Sequence, residues 1–531
     1  MEKLFLLILV SLHFFTLGCK DDSAPGKKTE EIPGPPFPSG YGVGIELPSQ
    51  VNMNPAEIDA LKSMGITYVN YYINTFPDKG DLPAKEVNYY MMSVVDKLGV
   101  QFSVSCTAYD PPSSAIQDAL QRYKGTGRFR GVVIDEFDHA RFIYPTGYGT
   151  DRRLMDCNAV HTVEDAHEAT LEAYSKHKEM MQQWGVQEVV ATHVWPVLND
   201  FSARSGYVVC PKICKETHSA VSMAIGLGAA KQYQTGFWND VDLWWWSTVP
   251  GHPAEEVKCN LLFSYWMGAD MTYLEGCGYN LAPAGKQGIP FSLLNPDTYE
   301  LTPIGETLKW FAKEYVPKHP RNWSARDVKP SIAIIRYEDS WFGQAESPFG
   351  CRGLTTDSDM RAWMSIFEIL THGETGGFMV YQTPTASHHF FTPMNGAVVY
   401  NELADYSLLK DIPLLFVTGK QISPASMEAV RQCVNEGAIC VFWGNLAKTN
   451  GFGDWQSGTQ VLPYGNGKFV ITDDFKNKSV YDLISPFIGK DDEIKYTFGA
   501  NQVVFKRIGD NAIDLIINGE RQSWQSFNIW K

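Results

Sequence analysis

Positive charge is in short supply: across 531 residues, 45 Lys and Arg face 60 Asp and Glu, a net charge of −15. A chain of that sign has no basic face with which to wrap nucleic acid or lie flat on an anionic bilayer. Beyond residue 18 no apolar run reaches the length needed to span a membrane, and no repeat of solenoid period recurs. No His-x-His pair follows the first strand-like run, where Gly44-Ile45-Glu46 stands, which counts against a metal hydrolase. No G-x-C-x-G elbow occurs in residues 331–460, which counts against thiol amidotransferase chemistry there. What is present is an ordinary globular composition, 44% hydrophobic and 20% charged, long enough for two or three domains. Aromatic residues reach 13%, a surplus that fills cores or lines grooves for flat apolar faces such as those of sugar rings.

The first 18 residues, MEKLFLLILVSLHFFTLG, place Lys3 before an apolar stretch of export-signal length. The Leu17-Gly18-Cys19 ending resembles the bacterial lipoprotein processing site, which implies a lipid on Cys19. Lys20-Asp21-Asp22 resembles the signal that sends some lipoproteins to the outer face of the outer membrane. Residues 19–40 then read as a flexible tether, and the membrane is a partner only through the lipid. Nine cysteines remain after Cys19, an odd number for an oxidising compartment. Cys106, Cys157, Cys210 and Cys214 allow a zinc cluster, a disulfide or plain buried thiols; the spacing matches no ribbon, and no metal or cofactor is expected.

From residue 41 short β-type runs alternate with amphipathic helical stretches, the pattern of repeated βα units. Strands are expected at Tyr41–Leu47, Ile66–Ile73, Val100–Ala108, Gly131–Ile134, Glu188–His193, Gln234–Trp238 and Met271–Leu274, with an eighth near Phe291. They would close a (β/α)8 barrel, an α/β TIM fold, over residues 41–316. Residues 316–330 carry three prolines and read as a linker. A second βα series over 331–460 predicts a doubly wound, flavodoxin-like α/β domain, and short alternating runs over 461–531 predict a small terminal β-domain.

In such a barrel the chemistry sits just behind the strands, and those positions are acidic: Glu46, Asp110, Asp135, Glu136, Asp138, Asp240, Asp242 and Glu275. Glu136 and Glu275 follow strongly apolar runs, so each is expected at the barrel mouth, half shielded from water, where its pKa can be moved. Eight of the 15 tryptophans fall between Trp184 and Trp310. Trp195 and Trp238, read as strand ends, are candidates for stacking on a sugar ring. Glu46, Tyr72, Asn74, Asp110, Asp135, His193 and Asp240 are candidates for contacts to substrate hydroxyls.

The two glutamates behind apolar strands resemble the clan A glycoside hydrolases, retaining enzymes whose acid/base follows strand four and whose nucleophile follows strand seven. That resemblance makes Glu136 the acid/base and Glu275 the nucleophile, two carboxyl groups about 5 Å apart. The clan places Asn before its acid/base, whereas Asp135 stands here and can accept a hydrogen bond but not donate one as the amide does. The order of barrel, flavodoxin-like domain akin to glutamine amidotransferases and small β-domain resembles family 42 β-galactosidases and family 164 β-mannosidases. In those families the middle domain builds a trimer. The resemblance implies a retaining exo-acting β-glycosidase acting on an oligo- or polysaccharide, with the spacing of the glutamates and the short flanking domains favouring β-mannosides over β-galactosides. The alternative is a non-catalytic, surface glycan-binding lipoprotein on the same scaffold.

Overall fold

A computed structural model describes residues 40–48, 53–72, 84–105, 113–135, 160–193, 198–214, 218–243, 253–275, 293–295, 297–339, 354–375, 391–508 and 512–522. Eight parallel strands close a barrel in sequence order. They are β1 (Gly42–Pro48), β2 (Tyr68–Tyr72), β3 (Gln101–Ser105), β4 (Phe129–Ile134), β5 (Glu188–His193), β6 (Val208–Ile213), β7 (Trp238–Asp242) and β8 (Met271–Glu275). Each is followed by a helix: α1 (Pro55–Ser63), α2 (Ala84–Leu98), α3 (Ser113–Arg122), α4 (Val163–Gln183), α5 (Leu198–Arg204), α6 (Ser219–Tyr233), α7 (Ala254–Trp266) and α8 (Pro303–Trp310).

Local sequence sets several of these ends. Asn54 caps α1 and Thr162 caps α4, each in a reciprocal capping box with Glu57 and Asp165 respectively, so the first orphan N–H groups are satisfied before the chain turns helical. Thr302 with Pro303 starts α8 in the same economical way. No described helix is long and apolar enough to cross a membrane.

The barrel corrects three sequence expectations. Val208–Ile213 is a strand although Pro211 interrupts it. Proline has no N–H to give to a ladder, and β6 meets β7 only at Lys212↔Asp240 and Ile213↔Val241, with a separate bridge at Val209↔Phe237. The run Gln234–Trp238 is mostly the turn out of α6, where Gln234 adopts a left-handed C-cap conformation, and the strand begins only at Trp238. Closure comes from β8 pairing with β1, so no strand near Phe291, which lies outside the described residues, is needed. Glu275 therefore ends the eighth strand, not the seventh.

Strands β9 (Ile332–Arg336), β10 (Met394–Asn395), β11 (Ala397–Asn401), β12 (Leu414–Thr418), β13 (Ile439–Trp443), β14 (Gln460–Tyr464) and β15 (Gly467–Thr472) follow, then β16 (Glu493–Phe498), β17 (Asn501–Arg507), β18 (Ile513–Ile517) and β19 (Glu520–Arg521). The second sheet has the order β11-β9-β12-β13-β15-β14, parallel except for β14. The third has the order β10-β16-β17-β18-β19. The expected boundary at 460/461 thus shifts: β14 and β15 belong to the second sheet, the helix Lys478–Ile488 lies against β10, and the terminal sheet joins β10 to the strands from Glu493 onward.

Helix α6 joins the first two units. It is buried on nearly all sides, as expected of a helix held between two layers. One side lies on β6 and the other on edge strand β11, with Gly228 directly against the Val399 carbonyl. The edge that would otherwise invite foreign strands is covered.

Candidate active site

Side-chain alternation divides the barrel interior into two zones. Toward the N-terminal ends of the strands, Tyr68, Val133, Val190, Cys210, Trp238, Met271 and Tyr273 form an apolar plug. One step up the same inward-facing rows the character reverses, because Glu46, Asp135, Thr192, Lys212, Asp240, Asp242 and Glu275 occupy the strand ends and are all buried. The reversal lies at the C-terminal mouth, where this fold places its chemistry.

Lys212 is the centre of the site. Its Nζ lies 2.9 Å from Asp135, 3.1 Å from Asp242, 2.7 Å from Glu275 and 3.8 Å from Asp240. It reaches both oxygens of Glu275, the second at 2.8 Å. Thr192 donates to Asp135 Oδ1 at 3.0 Å and Tyr273 donates to Asp240 Oδ2 at 3.1 Å.

One ammonium cannot neutralise five carboxylates in a dry setting, so protons must be held as well. Burial is the largest force pushing Glu275 well above the ordinary carboxylate range; Asp135, Asp240 and Asp242 add to it and Lys212 opposes it. Glu46 is raised by burial and then by Asp135 and Asp240. Asp240 is pushed up by burial to about 7, with Lys212 opposing. A cluster of this kind stores and releases protons near neutral pH, which general acid–base chemistry requires. Oxygens of Asp135, Asp240 and Glu275 lie within 4.8 Å of one another, close enough for a metal ion. Lys212 already supplies their positive charge.

The site gathers Glu46, Asp135, Asp240 and Glu275 as expected from sequence, with Tyr72 half-buried at the end of β2. Two expected residues stand elsewhere. Trp238 opens β7 rather than ending it, and packs edge-on to Tyr68 with ring centroids 5.3 Å apart inside the apolar plug. It fills the barrel and presents no face to a sugar. His193 has the parity of Val189 and Ala191, which face the helices, and it packs edge-on to Tyr174 of α4. Glu136, Asn74, Asp110, Trp195 and the lipidation candidate Cys19 lie outside the described residues, as do Cys106 and Cys157. Cys210 and Cys214 are free thiols, the former inside the plug.

Sequence reading missed Lys212, because Pro211 hid its strand; a period-two count from Val208 through Cys210 would have aimed it inward. Asn70, Ser103 and Ser105 were missed as well. They are buried on the inward rows of β2 and β3, and their side-chain polar atoms have no hydrogen-bond partner among the described residues. Amide and hydroxyl groups so placed suit recognition of a hydroxyl-rich occupant.

No family model and no curated protein sequence matches the chain. Solved structures do. The chain superposes on a β-galactosidase from Bacillus circulans sp. alkalophilus with a TM-score of 0.57 at 9% identity, covering 91% of this chain and 94% of that one. For a catalytic mutant of a family 42 β-galactosidase from G. stearothermophilus the TM-score is 0.55 at 8% identity, with coverage of 92% and 98%. A looser superposition, TM-score 0.47 at 11% identity, pairs 82% of the chain with 92% of an exo-β-1,4-mannosidase from an Opitutaceae bacterium. Over 91–92% of its length this chain shares the fold of these β-galactosidases.

Proposed function

We propose that this protein is a retaining, exo-acting β-glycosidase that hydrolyses terminal β-linked sugars by double displacement, β-mannosides ahead of β-galactosides. The observation that carries the reading is the ring of carboxylates held around Lys212 at the barrel mouth. Glu136, next in sequence to Asp135, protonates the glycosidic oxygen while Glu275 attacks the anomeric carbon and the aglycone leaves. Glu136, now ionised, takes a proton from water, whose oxygen attacks the same carbon and returns Glu275 as a carboxylate. Lys212 supports this role by favouring negative charge on Glu275 against three neighbouring acids. The order of preference between mannoside and galactoside rests on the sequence resemblance.

The strand count favours one variation. In the clan the nucleophile follows strand seven, and here β7 ends at Asp242, 3.1 Å from Lys212. An activated 2-deoxy-2-fluoro-β-mannoside or -galactoside should trap the glycosyl-enzyme, and peptide mapping should find the label on Glu275. A label on Asp242 would transfer the role to that residue. Nitrophenyl β-glycosides should be turned over by wild type and fall by about 10²–10⁴-fold in Glu136→Gln. No turnover by wild type, with glycan binding indifferent to Glu275→Gln, would leave the glycan-capture alternative.

The parallel strands of the second sheet, numbered one to five in chain order, run 2-1-3-4-5, an order that supports a flavodoxin-like reading. We assign that unit to trimer formation and the lipid on Cys19 to anchoring at the bacterial outer membrane. Cys19→Ala should shift the protein from the membrane fraction to the soluble one.

A further inference from the structure

A second buried cluster lies away from the barrel mouth, where α4 and α5 meet the C-terminal ends of β9 and β11. His167 on α4 and Asp200 on α5 come from the barrel; Glu338 follows β9 and Glu402 follows β11. All four are more than nine-tenths buried. His167 Nε2 is 3.0 Å from Glu338 Oε2, and one ligand atom each from His167, Glu338 and Glu402 can be chosen so that all lie within 4.8 Å of one another. Two donors bound about 2.1 Å from one ion at tetrahedral or square angles stand about 3.0–3.4 Å apart, so the first spacing fits a shared ion.

Carboxyl groups outnumber the cations here. Arg204 pairs with Glu402 at 3.3 Å, and Arg336 pairs with Asp339 at 3.3 Å. Asp200 Oδ2 accepts a hydrogen bond from the Asn401 amide at 2.9 Å. Four buried carboxyl groups, those of Asp200, Glu338, Asp339 and Glu402, thus face two guanidinium groups. Buried oxygens Glu338 Oε1 and Glu402 Oε2 have no hydrogen-bond donor among the described residues. A cavity of about 10 Å³ lies on the Glu338 side of the cluster, lined also by Asp200, Arg336 and Asn401, close to the least space that holds one water-sized occupant. The C-terminal ends of neighbouring parallel strands are also where open α/β sheets take their ligands.

We propose that His167, Glu338 and Glu402 bind one divalent cation that fastens the barrel to the second sheet. A neutral imidazole with two carboxylates suits zinc or manganese over calcium or magnesium, which prefer oxygen alone. This inference is independent of the glycosidase reading.

The test is metal content and thermal unfolding of the full chain, stripped with chelator and then equilibrated with Zn²⁺ or Mn²⁺ alone. The expected result is about one ion per chain and a higher unfolding midpoint than in the stripped protein. Glu338→Gln/Glu402→Gln should bind the ion at least about tenfold more weakly. His167→Asn, a smaller change, should do the same should the double variant fail to fold. Glu275→Gln should bind like wild type. A wild type that takes up neither ion overturns the proposal, as does retention by the interface variants with loss in Glu275→Gln, which would put the ion at the barrel mouth.

Discussion

Lys212 shows how one side chain can decide the state of a whole site. It is fully buried, and its contacts with Asp135, Asp242 and Glu275 span 2.7 to 3.1 Å. Removing one partner of a buried ionic cluster costs about 3–5 kcal/mol, because the remaining charges stay desolvated. Lys212→Met is therefore expected to lower unfolding free energy by about that amount at pH 8 and by less at pH 5, where the acids take up protons; urea titrations at the two pH values measure it. Equal losses at both would mean that packing, not charge, sets the cost. Acids at strand ends were readable, since an apolar run closed by Asp or Glu announces a charged group at a barrel mouth. Lys212 was not, because Pro211 made a barrel strand resemble a loop. Trp238 was misjudged for a related reason: a strand start and a strand end four residues apart belong to opposite ends of the barrel.

Among the elements, α6 shows most clearly how packing overrides amphipathic pattern. Its sequence, SAVSMAIGLGAAKQY, is small and apolar almost throughout, and small residues let it lie against two sheets at once. Gly228 is in direct contact with the backbone of β11, where a methyl group would collide with the Val399 carbonyl. Gly228→Ala is expected to cost about 1–3 kcal/mol, the usual penalty for overpacking, seen as a lower denaturation midpoint. An unchanged midpoint would mean that the helix and the sheet edge part easily. The same contact is braced by Gln232, whose side chain both donates to and accepts from Asn401.

Across the whole molecule, buried acids couple stability to pH. Asp240 and Glu338 titrate near 7 and Asp339 near 6, each raised chiefly by burial, against ordinary values of 3.8 for Asp and 4.5 for Glu. Between the ordinary and the raised values the folded chain holds protons that the unfolded chain has released. Stability is therefore full below about pH 4 for these groups and falls as pH rises to about 7. The chelated protein should unfold at a higher temperature at pH 5 than at pH 8, and Asp240→Asn should flatten that slope. A midpoint that rose with pH would contradict the sign. Light scattering at neutral pH is expected to give three protomers; a monomer would remove the oligomerisation role from the second sheet.

Alternating apolar and amphipathic segments were enough to announce a parallel α/β barrel with acids at its mouth, because periods of two and 3.6 residues and the chemistry of strand ends are local properties of a chain. Which segments supply the eight strands, the inward aim of Lys212, the burial of Trp238 in the plug and the meeting of His167 with Glu338 and Glu402 were decided only by tertiary structure. Each depends on which surfaces face one another after closure, and His167 stands 171 positions from its partner Glu338.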